Sequence, residues 1–107
     1  MYRVIITGPA KRDIQSAHDW WAENRSVEQA HRWYLGIHEA ITSLKQMPQR
    51  CSHATEQDLL EQGFRQMLFG LGRHPTHRVV FAMDGKEVVV LRVRHVAQDV
   101  LTSEDLE

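Results

Sequence analysis

The chain has 107 residues, 42% of them hydrophobic and 25% charged, with a formal net charge of −1. This length holds one domain with one core (residues 1–107) and is too short for two. No apolar run approaches the roughly 20 residues of a membrane span, and so slight a net charge excludes a global nucleic-acid footprint.

In chain order, Tyr2 to Thr7 reads as a short strand, and its few apolar residues do not make a signal peptide. Pro9 stands where a helix favours its first residue, with Thr7 or Gly8 as cap. Ala10, Ile14, Ala17 and Trp21 recur at helical spacing and predict a first helix to about Asn24. Ser26 followed by Gln29 is a capping-box signature. Val27, Ala30, Trp33 or Tyr34, Ile37, Ile41 and Leu44 mark the apolar face of a second helix, which Pro48 stops. The short link between them requires an antiparallel helical hairpin.

After an acidic stretch the period changes from helix to strand. "FRQMLFG" (Phe64 to Gly70) reads as one strand. "HRVVFAM" and "KEVVVLRVRH" flank Asp84-Gly85, a strong hairpin signal. The predicted fold class is α+β, with a helical hairpin on a mostly antiparallel sheet of three to four strands. If Met83 opposes Lys86, then Arg78, Val80, Val89, Leu91, Val93 and His95 share one face. His77, Val79, Phe81, Val88, Val90, Arg92 and Arg94 share the other. Both faces are apolar at mid-strand, so both are expected to be covered, one by the helices and one by something smaller.

Charge is uneven along the chain. Phe64 to His95 holds six Lys or Arg against two acids, Cys51 to Gly63 holds three acids and no base, and the segment from Val96 holds four acids. A basic region between acidic flanks suits an anionic partner or self-neutralisation by the flanks, the acidic tail folding back on the basic sheet end. Arg65, Arg78 and His95 are the candidate chemical set: two guanidiniums to bind phosphate and an imidazole to move a proton near neutral pH. The bland alternative pairs the arginines with carboxylates as structural ion pairs. Arg92, Arg94, Trp20 and Trp33 are candidates for a binding surface, although aromatic residues at helical spacing belong by default to the core.

The seven histidines show no HExxH-type spacing, and one cysteine offers no cluster, so no metal and no cofactor are expected. Cys51 as the lone cysteine precludes an internal disulfide framework and fits a reducing cytoplasm. It also lacks the basic surroundings that would activate a thiol.

Taken in order, "YRVIIT", "RDI", "WW", "RWY", "FRQMLFG", "HRVVF" and "VVVLRVRHVAQD" resemble the RelE/ParE superfamily of type II toxin–antitoxin toxins, over nearly the whole chain. The ParE-like plasmid stabilisation proteins are the nearer branch. The resemblance implies a toxin neutralised by a cognate antitoxin that wraps it, with a toxin–antitoxin heterotetramer as one assembly. It also implies one of two targets: DNA gyrase, poisoned by ParE-like members, or ribosome-bound mRNA, cleaved without metal by RelE-like members. By position, Arg78 matches the arginine of the family's "YR--Y/F" strand, preceded here by His77 rather than Tyr, and Arg65 matches a basic position on the second strand. His95 stands in the C-terminal active-site region. Met67 occupies a place where a ribonuclease carries a base, and no Tyr, Lys or Arg follows His95. The nuclease set is incomplete, which favours the gyrase reading, with the ribonuclease as the alternative.

Overall fold

The computed structural model describes residues 1–54 and 63–98. Strand β1 spans Arg3–Ile6, and Thr7 links it to the first helix. The Thr7 Oγ1 accepts the Ala10 N–H at 3.3 Å, capping helix α1 (Gly8–Asn24), and donates to the Val90 carbonyl at 2.9 Å. One side chain thus starts the helix and fixes it to the sheet. Helix α2 (Val27–Thr42) is capped by the Ser26 hydroxyl, which accepts the Gln29 N–H at 3.0 Å.

Inside α2, Ala30, Trp33, Ile37 and Ile41 are buried at i, i+3, i+7 and i+11, one continuous stripe. Trp33, not Tyr34, takes the inward position, and Val27 at the first turn is exposed. The helix ends earlier than Pro48 requires. Ser43–Lys45 tightens into a 3₁₀ turn that still buries Leu44, and a second such turn covers Pro48–Arg50.

Four further strands complete the sheet: β2 (Ser52–His53), β3 (Arg65–Phe69), β4 (His77–Asp84) and β5 (Glu87–His95). The described residues form one sheet of five strands in the order β1-β5-β4-β3-β2, antiparallel except for the parallel pairing of β1 with β5. This adds one short strand to the expected three or four. A two-residue strand such as β2 has no alternation to read.

The hairpin register differs from the expected one in two places. Asp84 pairs with Glu87, so the tip is Gly85-Lys86, one residue further along, and Gly85 sits at φ 59°. A glycine with positive φ at the first tip position is the type II′ arrangement, which the right-handed twist of the strands favours. A bulge then falls where Phe81 faces Val90 but Val80 faces Arg92, leaving Leu91 as the extra residue. One inserted residue reverses the side-chain parity of everything beyond it. From Arg92 to His95 the faces are therefore opposite to those expected.

The helix-facing side carries Val79, Phe81, Val88, Val90 and Val93, packed with Ala10, Ile14, Trp33, Ile37, Ile41 and Leu44. The other side is covered, as expected, by something smaller: Val80 packs with Ala54 and Phe64, flanked by Ala82 and Leu91. The β3–β4 connection folds tightly on itself, with the Thr76 N–H on the Phe69 carbonyl at 2.9 Å. A Cβ on Gly70 would lie 2.4 Å from the His74 carbonyl oxygen and 3.0 Å from Pro75 Cα. Both are backbone atoms and cannot rotate away. Gly70→Ala should therefore cost about 2 kcal/mol of stability, read as a lowered urea midpoint; an unchanged midpoint would mean that the connection is looser than it looks.

Candidate functional site

The C-terminal half of α1 and the ends of β4 and β5 leave a cleft of about 550 Å³ between them. Ala17, Trp20, Trp21 and Arg25 line one wall, and Thr76, His77, Val93, His95 and Gln98 line the other. The helix supplies these side chains because its last turns run past the sheet's edge, where β1 has already stopped.

That missing neighbour is handled by Asp13. Among the described residues β5 has no strand on the β1 side beyond Val90, and the Val93 N–H is taken instead by Asp13 Oδ2 at 2.9 Å. The same carboxylate accepts from Arg92 Nε at 2.7 Å and from Arg92 Nη2 at 2.9 Å. Both partners are less than one-fifth exposed. Arg92, a candidate for the binding surface by sequence, is thus committed to an intramolecular clamp between α1 and β5.

His77 and His95 face each other across β4 and β5, with ring centroids 5.3 Å apart and nearly perpendicular. His95 is exposed, and its Nδ1 accepts the Ala97 N–H at 3.0 Å, so in the neutral ring the proton sits on Nε2. His77 is 8% exposed and lies against the Trp33 ring at 4.9 Å. Burial, with a smaller contribution from the neighbouring His95, pushes its pKa down from 6.5 to about 4.

A histidine depressed in the folded state binds its proton more readily when unfolded. Its stability contribution is complete above pH 6.5 and drains away as pH falls toward 4. Between pH 7 and pH 5 the chain should lose about 2 kcal/mol through this group. Urea melts of the wild type and His77→Gln at the two pH values check it: the variant's loss should be smaller by that amount, and equal losses would contradict the assignment.

The structure does not gather the candidate chemical set. Arg65 is in register with Phe81 on the helix-facing side, and its Nη1 donates to the Cys51 carbonyl at 2.6 Å and the Gln49 carbonyl at 3.3 Å. Arg78 is 7% exposed on the opposite side of the sheet, in register with Leu68 and Arg94, with Nη1 3.4 Å from Gln66 Oε1. His95 returns to the helix-facing side, in register with His77, because of the bulge. Arg65 and His95 then differ by four positions along β4, roughly 13 Å. The sheet itself stands between His95 and Arg78, correcting the expectation that these two share a face.

The surface aromatics separate as well. Trp20 is 50% exposed at the cleft, with the Arg25 guanidinium 5.8 Å from its ring centroid. Trp33 is wholly buried, which removes it from any binding surface; the stripe that places Ile37 and Ile41 inward takes Trp33 with them. Of the cleft's lining only Trp20 and His95 are candidates by sequence; Trp21, Arg25, Thr76, His77 and Gln98 carry no functional signal of their own. Only the register of β5 against α1 brings them together.

Burial pushes the Cys51 thiol up, against the pull of Arg50 and Arg65. The described residues hold no group of three or more His, Cys, Asp or Glu able to hold a metal, and no helix among them is long and apolar enough to cross a membrane.

Comparison with known proteins agrees with this architecture. The model of the ParE toxin of the type II toxin–antitoxin system parDE matches residues 4–100. No curated protein matches the chain significantly. A solved structure, "Chromosomal ParDE TA system from P. aeruginosa", aligns with a TM-score of 0.71 over 90% of this chain and 97% of that one. The two are 20% identical in sequence, so this likeness speaks to the fold alone. With the family match running from the first strand past the end of β5, the chain belongs to the ParE toxin family of type II toxin–antitoxin systems.

Proposed function

We propose that this chain inhibits growth by poisoning DNA gyrase in the cytoplasm and is neutralised by a cognate antitoxin, the two assembling as a heterotetramer. The observation that carries the choice of target is the separation of His95 from Arg78 by the thickness of the sheet. Metal-free RNA cleavage needs a base, an acid and charge stabilisation around one phosphate. Here the exposed imidazole of His95 lies on the opposite face from Arg78 and roughly 13 Å along the strands from Arg65. A surface-binding mode of action asks for no such convergence. Trp20 at the cleft and Arg94 on the opposite side of the sheet remain candidates, on two separate surfaces.

Antitoxin-free protein added to gyrase, supercoiled DNA and ATP should trap double-strand cleavage complexes, visible as linear DNA after denaturation. The same protein on ribosomes with a defined mRNA should produce no new 5′ ends at the A-site codon. A-site cuts that disappear in His95→Ala would replace gyrase with the ribosome and make His95 the proton carrier.

A further inference from the structure

The turn that ends β5 consumes one kind of atom in the cleft and leaves another. The His95 carbonyl accepts the Gln98 N–H at 3.0 Å, and Gln98 Oε1 accepts the His95 N–H at 2.7 Å. His95 Nδ1 takes the Ala97 N–H, and both oxygens of Asp13 are held by Arg92 and Val93. The side-chain acceptors of Asp13, His95 and Gln98 are therefore spent. What these walls have left to offer is N–H: the Nε2 amide of Gln98, the Nε2–H of His95 and the guanidinium of Arg25. Arg25 meets no carboxylate among the described residues and stands 5.8 Å from the Trp20 ring centroid. Donors gathered without a counter-charge call for an anion.

Between these donors the cleft is apolar. Trp20 and Trp21 stand at 86° with ring centroids 5.5 Å apart, and Ala17 and Val93 lie with them in the lining. A corner of two indoles receives a planar ring by its face on one and its edge on the other. The volume, about 550 Å³, is that of a small-molecule site. Arg25 supplies a full charge from one wall, and His95 supplies a second from the other when it is an imidazolium. That suits the charge of about −2 and the three terminal oxygens of a phosphate monoester better than the single charge of a carboxylate.

We propose that the cleft binds a phosphate monoester carried on a planar aromatic body, the chemistry of a nucleoside monophosphate. The ring lies against Trp20 and Trp21, and the phosphate accepts from Arg25, His95 and Gln98. An occupied cleft withdraws Trp20 from any protein surface. The site is independent of whether gyrase or the ribosome is the target. The acidic tail expected at the sheet end lies, from Asp99, outside the described residues.

The test titrates the full chain with adenosine monophosphate (AMP), adenosine and inorganic phosphate, following the Trp20 and Trp21 Nε1–H and the His95 ring protons by NMR. AMP should move all of these signals along one saturation curve, half-complete below about 1 mM. Adenosine and phosphate should each bind at least about tenfold more weakly, the factor that a lost charge-assisted hydrogen bond alone is worth. Arg25→Gln, at an exposed position, should weaken AMP by a similar factor and leave adenosine unchanged. Trp20→Ala should weaken both. The Trp33 Nε1–H, buried in the core, reports whether each variant is folded. AMP that moves none of the cleft signals would overturn the proposal, as would adenosine or phosphate binding as tightly as AMP. Indole-3-acetate binding as tightly as AMP would make this a carboxylate site and equally overturn it. Should Trp20→Ala fail to fold, Arg25→Gln decides: an unchanged AMP affinity there would overturn the proposal.

Discussion

Trp33→Ala should remove about 3–5 kcal/mol of stability, the range for deleting a large buried aromatic. Trp33 is 0% exposed and sits between α2 and the sheet, 4.9 Å from the His77 ring and edge-on to Phe69 at 6.5 Å. The neighbouring Phe69 ring is held against Gly36, so closely that a Cβ there would lie 2.6 Å from Cζ, which opposes its swinging into the space. A cavity at this point would therefore persist rather than close. For a domain whose total stability is of order 5–15 kcal/mol, the variant should be largely unfolded under mild denaturant. Equilibrium urea melts measure this, and a loss under about 1 kcal/mol would show that the indole is not central to the core. Trp33→Phe should be much milder. It keeps most of the volume and deletes an indole N–H that has no hydrogen-bond partner among the described residues.

The second large effect belongs to Asp13. Its carboxylate accepts three hydrogen bonds, two from Arg92 and one from the backbone of Val93. Asp13→Ala takes the two-point carboxylate contact from a mostly buried guanidinium and the acceptor from a strand amide, together about 3 kcal/mol. The doubly substituted Asp13→Ala, Arg92→Ala chain should be less destabilised than the two single losses summed, because the contact between the two residues is counted in each single loss. Asp13→Asn should fall between wild type and alanine, since its side-chain oxygen can still serve the Val93 N–H. A double-mutant cycle with a coupling near zero would mean that the pair is incidental. A further reading comes from the cleft. Since Val93 and His95 hang from the clamped end of β5, Asp13→Ala should broaden the His95 resonances as well as lower the melting point.

Much of the fold was legible in the residues, for local reasons. Thr7 and Ser26 cap helices because short hydroxyl side chains satisfy the first amides, and both do so here. The stripe from Ala30 to Ile41 is a period-3.6 pattern and lies inward as read. Register was harder. Asp84-Gly85 marked the turn, but which residues form its tip depends on a backbone angle at Gly85, and nothing near Leu91 announces a bulge. Each is a shift of a single residue, and the bulge carries His95 to the other face. The candidate site suffered accordingly. A triad built from strand alternation is only as good as its register. The Asp13–Arg92 clamp, joining residues 79 apart in sequence, and the cleft it supports depend on tertiary placement that no spacing encodes.

The parallel pairing of β1 with β5 has a consequence for how the chain is made. Residues 3–6 find their partners at 87–90, and β5 lies between β1 and β4, inside the sheet rather than at its edge. The hydrophobic core thus waits for its last strand. During synthesis the first strand and both helices emerge with their apolar faces uncovered, and long-range pairings of this kind form late and slowly. A nascent toxin is therefore without its native surface until β5 has been made. Chains cut short before Glu87 by premature termination should be protease substrates rather than poisons.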